Sequence, residues 1–301
     1  MQTRHRAAAT ALLLTATAGL AAAGGTTAQA AGTHTSHRAH APLVVTIKSK
    51  ASGPTLSDDT FRPGHTVFKV KRVDDGGLMQ VFRLKPGYTI LDASNDFNLA
   101  FPPDQTTPPD VDAVNRIDDN VVFYGGARAL PKNAAPMKWA VDIDHAGTYY
   151  VLNIERNTPP VTFTVKGQRQ KRPMPAADGT LNMATAADGV TNVWKPGKHN
   201  AASGWMSSTN KAKEPHFVVL DHVKKSTTLK QVQKCFQGTG PCDFRAKDRA
   251  GIDTGVVSPG HTFLWTYDLP KGKFLAQCFW PSKMDGTPHA FMGMLAFMHL
   301  G

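Results

Sequence analysis

Four residues in the C-terminal third have the types and spacing to hold a soft metal ion: His216, Cys278, His289 and Met294. The last three fall within one stretch, CFWPSKMDGTPHAFMGM, and His216 lies 62 positions upstream of the cysteine. A thiolate and two imidazoles in a plane, with a weak thioether on the axis, suit both Cu(I) and Cu(II) with little rearrangement. The set therefore points to copper and to one-electron chemistry. Cysteine arithmetic singles out the same thiol. The chain has three cysteines, and Cys235 and Cys242 flank the short loop FQGTGP, which a disulfide can close, leaving Cys278 over.

The elements that must position these groups are strands. In GKFLAQCFW, alternation puts Phe274, Ala276 and Cys278 on one face, so the thiol points inward at a strand end. A loop of ten residues then leads to His289, and Met294 begins the last strand. His222 shares strand parity with His216 and is its weaker substitute. Met292 is the weaker axial candidate, Met284 and Met298 read as packing or surface residues, although a Met-rich rim can also receive Cu(I), and Phe279 and Trp280 as a shield against water.

Short β-branched runs divided by Gly and Pro recur from Leu43 onward: LVVTIKSK, HTVFKVKRV, LMQVFRLK, MKWAVDI, GTYYVLNIE and VTFTVKG. They predict an antiparallel β-sandwich. After a charged break the pattern restarts with HFVVLDHV, HTFLWTYDL, GKFLAQCFW and MLAFMHL. The two halves resemble each other, FRPGHTVF against VWKPGKHN and AGTYYVLNIE against KGKFLAQCFW, the latter anchored on Gly147 and Gly272. The predicted organisation is two copies of one sandwich, 43–167 and 181–301, joined by a linker at 168–180. Thr89 and Ser226 or Thr227 are expected to cap a short helix in each. The overlay sets Gln80 against His216 and Asn153 against Cys278, so only the second copy holds candidate ligands.

An upstream strand His, then Cys, a loop His and the ending HAFMGM resemble the C-terminal ligand loop of cupredoxins, the plastocyanin-like blue-copper proteins. The resemblance covers most of residues 190–301, and the first half resembles the fold only. It implies an all-β chain of two Greek-key cupredoxin-like sandwiches, with His216, Cys278 and His289 as equatorial ligands of a mononuclear copper and Met294 as the axial one. The sequence departs from the family at the loop, since small members separate Cys and the second His by two to four residues. It has no His-x-His pair such as multicopper oxidases use, and Gln277 stands where nitrite-reductase-like proteins have a His before the copper Cys.

Arg4, His5 and Arg6 precede an Ala/Leu-rich run and the cleavage pattern Ala28-Gln29-Ala30, which predicts a signal peptide at 1–30, a secreted protein and no transmembrane anchor. A flexible tether at 31–42 follows, with His34, His37 and His40; cleavage after Ala31 instead would expose a Gly-Thr-His terminus suited to Cu(II). Removing Arg4 and Arg6 lowers the formal charge from +11 to +9. The Lys and Arg residues are scattered, which fits an anionic envelope polymer or an acidic partner but not nucleic acid. Adjacent carboxylates such as Asp118-Asp119 have no nucleophile to serve, and Gly-x-Ser-x-Gly, His-Glu-x-x-His and phosphate loops are missing. The resulting expectation is no enzyme, but a secreted electron-transfer or copper-holding protein. The alternative is a metal-free extracellular binding or structural module in which Cys278 is a core residue.

Overall fold

The computed structural model describes residues 41–104, 106–156 and 158–301. The signal peptide and nearly all of the His-containing tether lie outside them. The first half contains β1 (Leu43–Ser49), β2 (Thr55–Leu56), β3 (Thr60–Phe61), β4 (Gly64–Arg72), β5 (Gly77–Leu84), α1 (Ile90–Ala100), α2 (Val111–Asn120), β6 (Val121–Ala129), β7 (Lys138–Ile143), β8 (Gly147–Asn153) and β9 (Val161–Val165). The second contains β10 (Gly179–Thr185), β11 (Asn192–Pro196), β12 (Ser203–Lys211), β13 (Val219–His222), α3 (Leu229–Phe236), β14 (Gly251–Asp253), β15 (Thr262–Asp268), β16 (Gly272–Gln277) and β17 (Leu295–Leu300). The chain is all-β, as expected.

Strand order makes the repeat visible. One sheet runs β11-β10-β12-β15-β7-β4-β1-β2, in which the first four strands mirror the last four. Each half adds its own second sheet, β3-β9-β8-β5-β6 in the first and β17-β16-β13-β14 in the second. The halves join edge to edge where β15 pairs with β7, Trp265 opposite Trp139. This pairing satisfies two strand edges that would otherwise present open backbone groups. The principal apolar core is continuous across the join, with Phe68, Trp139, Phe163, Trp265 and Phe274 all buried. The sandwich is not purely antiparallel, because β1–β4 and β10–β12 are parallel in both halves.

Thr89 caps α1 in a capping box with Asp92. The cap of α3 is Thr228, paired with Gln231, rather than Ser226 or Thr227. Its side chain is the one that reaches the third backbone N–H of the helix. The segment expected as a linker lies along the first half: Gln170 donates its backbone N–H to Pro63, and Arg172 is buried with its carbonyl 2.5 Å from His65 Nδ1.

Register corrects one part of the repeat. With Gly147 matched to Gly272, Asn153 corresponds to Cys278. Met79 pairs with Asn153, and Val219 pairs with Gln277, so the next place sets Val218 opposite Cys278. Met79 thus matches Val218, and the residue matching His216 is Gly77, three places before the expected Gln80. Gln80 does something else: its amide donates to the carbonyls of Gly125 and Val256 and accepts from the Val256 N–H, pinning the second half's 254–258 segment to the first half. Two glycines permit that approach, since a Cβ on Gly255 would lie 2.6 Å from the backbone of Gly126.

Candidate metal centre

His216, Cys278 and His289 arrive from three different places in the chain. His216 precedes β13 and is held by a reciprocal backbone pair with Val257, 3.1 and 2.8 Å. Cys278 is the first residue beyond β16, at the end of a strand whose last four residues are buried. The ten residues that follow are not a slack loop. Pro281 bridges Pro288, the Ser282 N–H donates to Thr287, and the Gly286 N–H donates to Ser282, so the segment is itself a small hairpin. Its closing bonds, His289 N–H to Trp280 and Ala290 N–H to Cys278, return the imidazole to the thiol.

The three ligand atoms converge. Cys278 Sγ lies 3.5 Å from His216 Nδ1 and 3.9 Å from His289 Nδ1, and the two nitrogens are 3.1 Å apart. The circle through these atoms has a radius of about 2 Å, close to transition-metal bonds of about 2.0–2.1 Å to nitrogen and 2.3 Å to sulfur. All three side chains are buried, and they form a His/Cys group able to hold an ion among the described residues. When deprotonated, the three atoms aim lone pairs at one another, an arrangement that hydrogen bonds alone leave unbalanced. A cation at their centre resolves it, so the residues fit a copper ion, and the donor set is that of a cupredoxin-like copper site.

Glu214 fixes one ligand's tautomer. His289 Nε2 donates to Glu214 Oε2 at 2.7 Å, so that when the ring gives up its Nδ1 proton the freed lone pair faces the centre. Burial disfavours the His289 cation, but hydrogen bonds to Cys278 and Glu214 outweigh it and lift the imidazole to about 9. Burial would raise the Glu214 carboxyl, yet its bond to His289 leaves it below its ordinary value. His216 is pushed well below the ordinary imidazole range by burial and by the His289 charge, and its Nε2 has no hydrogen-bond partner among the described residues. Glu214 escaped the sequence reading although it stands two residues before His216 in EPHF, because the spacing alone does not say where its side chain folds.

Met294 is buried, accepts a bond from Trp194 Nε1 at its carbonyl, and lines a cavity with His289. His222 is elsewhere: its Nδ1 meets Asp248 at 2.7 Å and its ring stacks on Phe274. Met298 is buried in the core. Cys235 and Cys242 are disulfide-bonded and Cys278 is free. Trp280, whose carbonyl accepts from the His289 N–H, turns its indole toward the first half. It packs against Phe101 and Phe123, and its Nε1 donates to Asp118 Oδ1 at 3.2 Å.

No protein-family model matches the chain, and no curated protein matches it. Among solved structures it is similar to auracyanin from Roseiflexus castenholzii, at 21% identity over 42% of this chain and 99% of that one, TM-score 0.26. It is similar to a multicopper oxidase from Pediococcus acidilactici at 10% identity, covering 87% of this chain and 59% of the oxidase, TM-score 0.23. A copper nitrite reductase from Nitrosomonas europaea matches at 12% identity, covering 86% and 94%, TM-score 0.23. At these identities and TM-scores they are likenesses only, and the β-sandwich and the His/Cys geometry stand on the structure itself. The expectation that the chain is no enzyme is at odds with these neighbours, which include oxidases and a reductase, and is withdrawn.

Proposed function

We propose that this is an exported copper protein that transfers single electrons, or holds copper, outside the cell through a mononuclear centre. The observation that carries the reading is the convergence of His216 Nδ1, Cys278 Sγ and His289 Nδ1 in a buried triangle of copper-bond dimensions. Copper, when bound, supplies a one-electron couple. Cys278 contributes a thiolate at the end of a rigid strand, and the two imidazoles set the plane. Met294 is proposed as the weak axial donor. Val257 and Glu214 hold the two imidazoles in place, so the ligand frame is set in advance by backbone pairing and a carboxylate rather than by the metal. A buried, pre-set frame keeps water out and changes little between oxidation states, which favours electron transfer.

Export rests on the N-terminal charge pattern and Ala28-Gln29-Ala30. Among the described residues no helix is long and apolar enough to cross a membrane. The residual basic charge suits retention by an anionic envelope polymer, which rising salt should release. The test of the copper reading is optical. Purified protein given one equivalent of Cu(II) should develop an intense visible thiolate band, and Cys278→Ser should abolish it. A protein that stays colourless and binds no stoichiometric copper is the metal-free module instead.

A further inference from the structure

We propose that the cavity beside the centre is a loading route for Cu(I), with Met284 and Met292 as its outer thioethers and Met294 as its inner one. The inference rests on the copper reading above. The cavity is small, about 50 Å³, and its lining includes Met284, Met292, Met294, Asn192, Glu214 and His289. Its two ends differ. Met284 and Met292 are 59% and 41% exposed, whereas Met294 and His289 are 1% and 2% exposed. One narrow space is therefore lined by two exposed methionines and by a buried methionine and histidine.

The chemistry of the lining selects the ion. Thioethers are soft donors that bind Cu(I) and hold hard cations poorly. Long unbranched side chains can follow a moving ion without backbone change. Glu214 at the inner end adds a carboxylate oxygen to the lining, a further donor on the way to His289. Met284 belongs to the hairpin that carries His289, and Met292 and Met294 follow that imidazole in a turn closed by the Met294 N–H to His289 bond of 2.9 Å. The outer thioethers are thus fixed to the ligand that they serve. Each step exchanges one ligand for another: a copper–thioether bond breaks as a bond to imidazole or thiolate forms. The protons held between Cys278 Sγ and His289 Nδ1 pass to solvent as the two atoms bind the ion, and the metal remains Cu(I).

The test uses the full secreted protein and copper presented as the Cu(I) bicinchoninate complex, with Met284→Leu/Met292→Leu as the volume-conserving variant. Wild type and variant should reach the same copper stoichiometry and, after oxidation, the same thiolate band. Cu(I) uptake by the variant should be slower by about tenfold or more, as expected for roughly one lost ligand contact worth about 1.4 kcal/mol. Cu(II) uptake should be unchanged. Equal Cu(I) rates in the two proteins overturn the route, and so does equal slowing of Cu(I) and Cu(II), which marks a damaged hairpin. If the wild type takes up neither ion, the copper reading itself fails and takes the route with it. A wild type that loads while the variant loads equally fast removes the route alone.

Discussion

In the first half the places of Cys278 and His216 are taken by Asn153 and Gly77. Asn153 Nδ2 donates to the Gly76 carbonyl at 3.0 Å and its Oδ1 accepts from the Glu155 N–H at 3.2 Å. A Cβ on Gly77 would lie 2.2 Å from that Oδ1, so the amide fills the space an imidazole would need, and the φ of +126° at Gly77 favours glycine as well. The same strand end is closed by backbone hydrogen bonds in one copy and left to a thiol and two imidazoles in the other. The first half compensates with something the second lacks. Helix α2 and the loop before it lean on the metal hairpin: Asn115 Nδ2 donates to the Lys283 carbonyl at 3.3 Å, and Gly286 abuts Pro109. The half without candidate ligands thus supports the hairpin that carries His289, so a copy with no metal-ligand set of its own still helps to position the set in the other.

Exchanging one residue at each corresponding place gives the largest effects. His216→Ala should weaken copper binding by well over the roughly 10–100-fold that losing an outer partner costs. Asn153→Ala should leave copper affinity unchanged but lower stability by about 1–3 kcal/mol, because it removes the side-chain amide that bonds both the Gly76 carbonyl and the Glu155 N–H. Chelator competition and urea unfolding read the two quantities separately. A copper defect in Asn153→Ala would break the division of labour. The support from the first half is tested by Trp280→Ala, which removes a buried indole between the halves and should cost about 3–5 kcal/mol. Phe291, on the same segment but half exposed, should cost well under half of that when cut to Ala. Equal losses would mean that Trp280 is not the joint.

Much of this was legible in the sequence, and the failures have physical causes. His216, Cys278 and His289 could be read because a soft-metal set restricts residue type and order, and the structure brings the three together. The strands with strong alternation, such as β4, β5 and β8, were found. β6, VVFYGGARA, was missed because Gly125 and Gly126 interrupt its apolar run, and β12, SGWMSSTNK, because its sequence lacks a β-branched apolar face. The hairpin at 281–288 read as a gap because proline bridges and turn hydrogen bonds carry no periodicity. The edge-to-edge join of β7 and β15 was invisible because its partners are far apart in the chain and each looks like an ordinary strand.

Glu214 marks a smaller asymmetry, since the strand end closed by Asn153 needs no carboxylate. Glu214→Ala should weaken copper binding by about 10–100-fold while keeping the thiolate band, as expected for a group that orients a ligand without touching the ion. Glu214→Gln should recover most of the loss, because its carbonyl oxygen can still accept from His289 Nε2. A variant in which Gln behaves like Ala would show that charge rather than orientation is at stake.

The smallest expected effect lies in the support contributed by the first half. Asp118 is lifted to about 7, first by burial and then by the charge of Glu214, against lowering contributions from the Trp280 bond, Lys283 and His289; its Oδ2 has no hydrogen-bond partner. An acid whose folded value lies above its unfolded one binds its proton more tightly when folded. Its stabilising contribution is therefore complete below about pH 4 and is lost as pH rises to about 7, by roughly 1–3 kcal/mol in metal-free protein. Asp118→Asn keeps an oxygen for Trp280 Nε1 and removes the charge. Its urea midpoint should exceed that of the wild type at pH 8, and the advantage should disappear at pH 4. A difference that stays constant across this range would show that Asp118 remains ionised, and that Lys283 and His289 neutralise it where it stands.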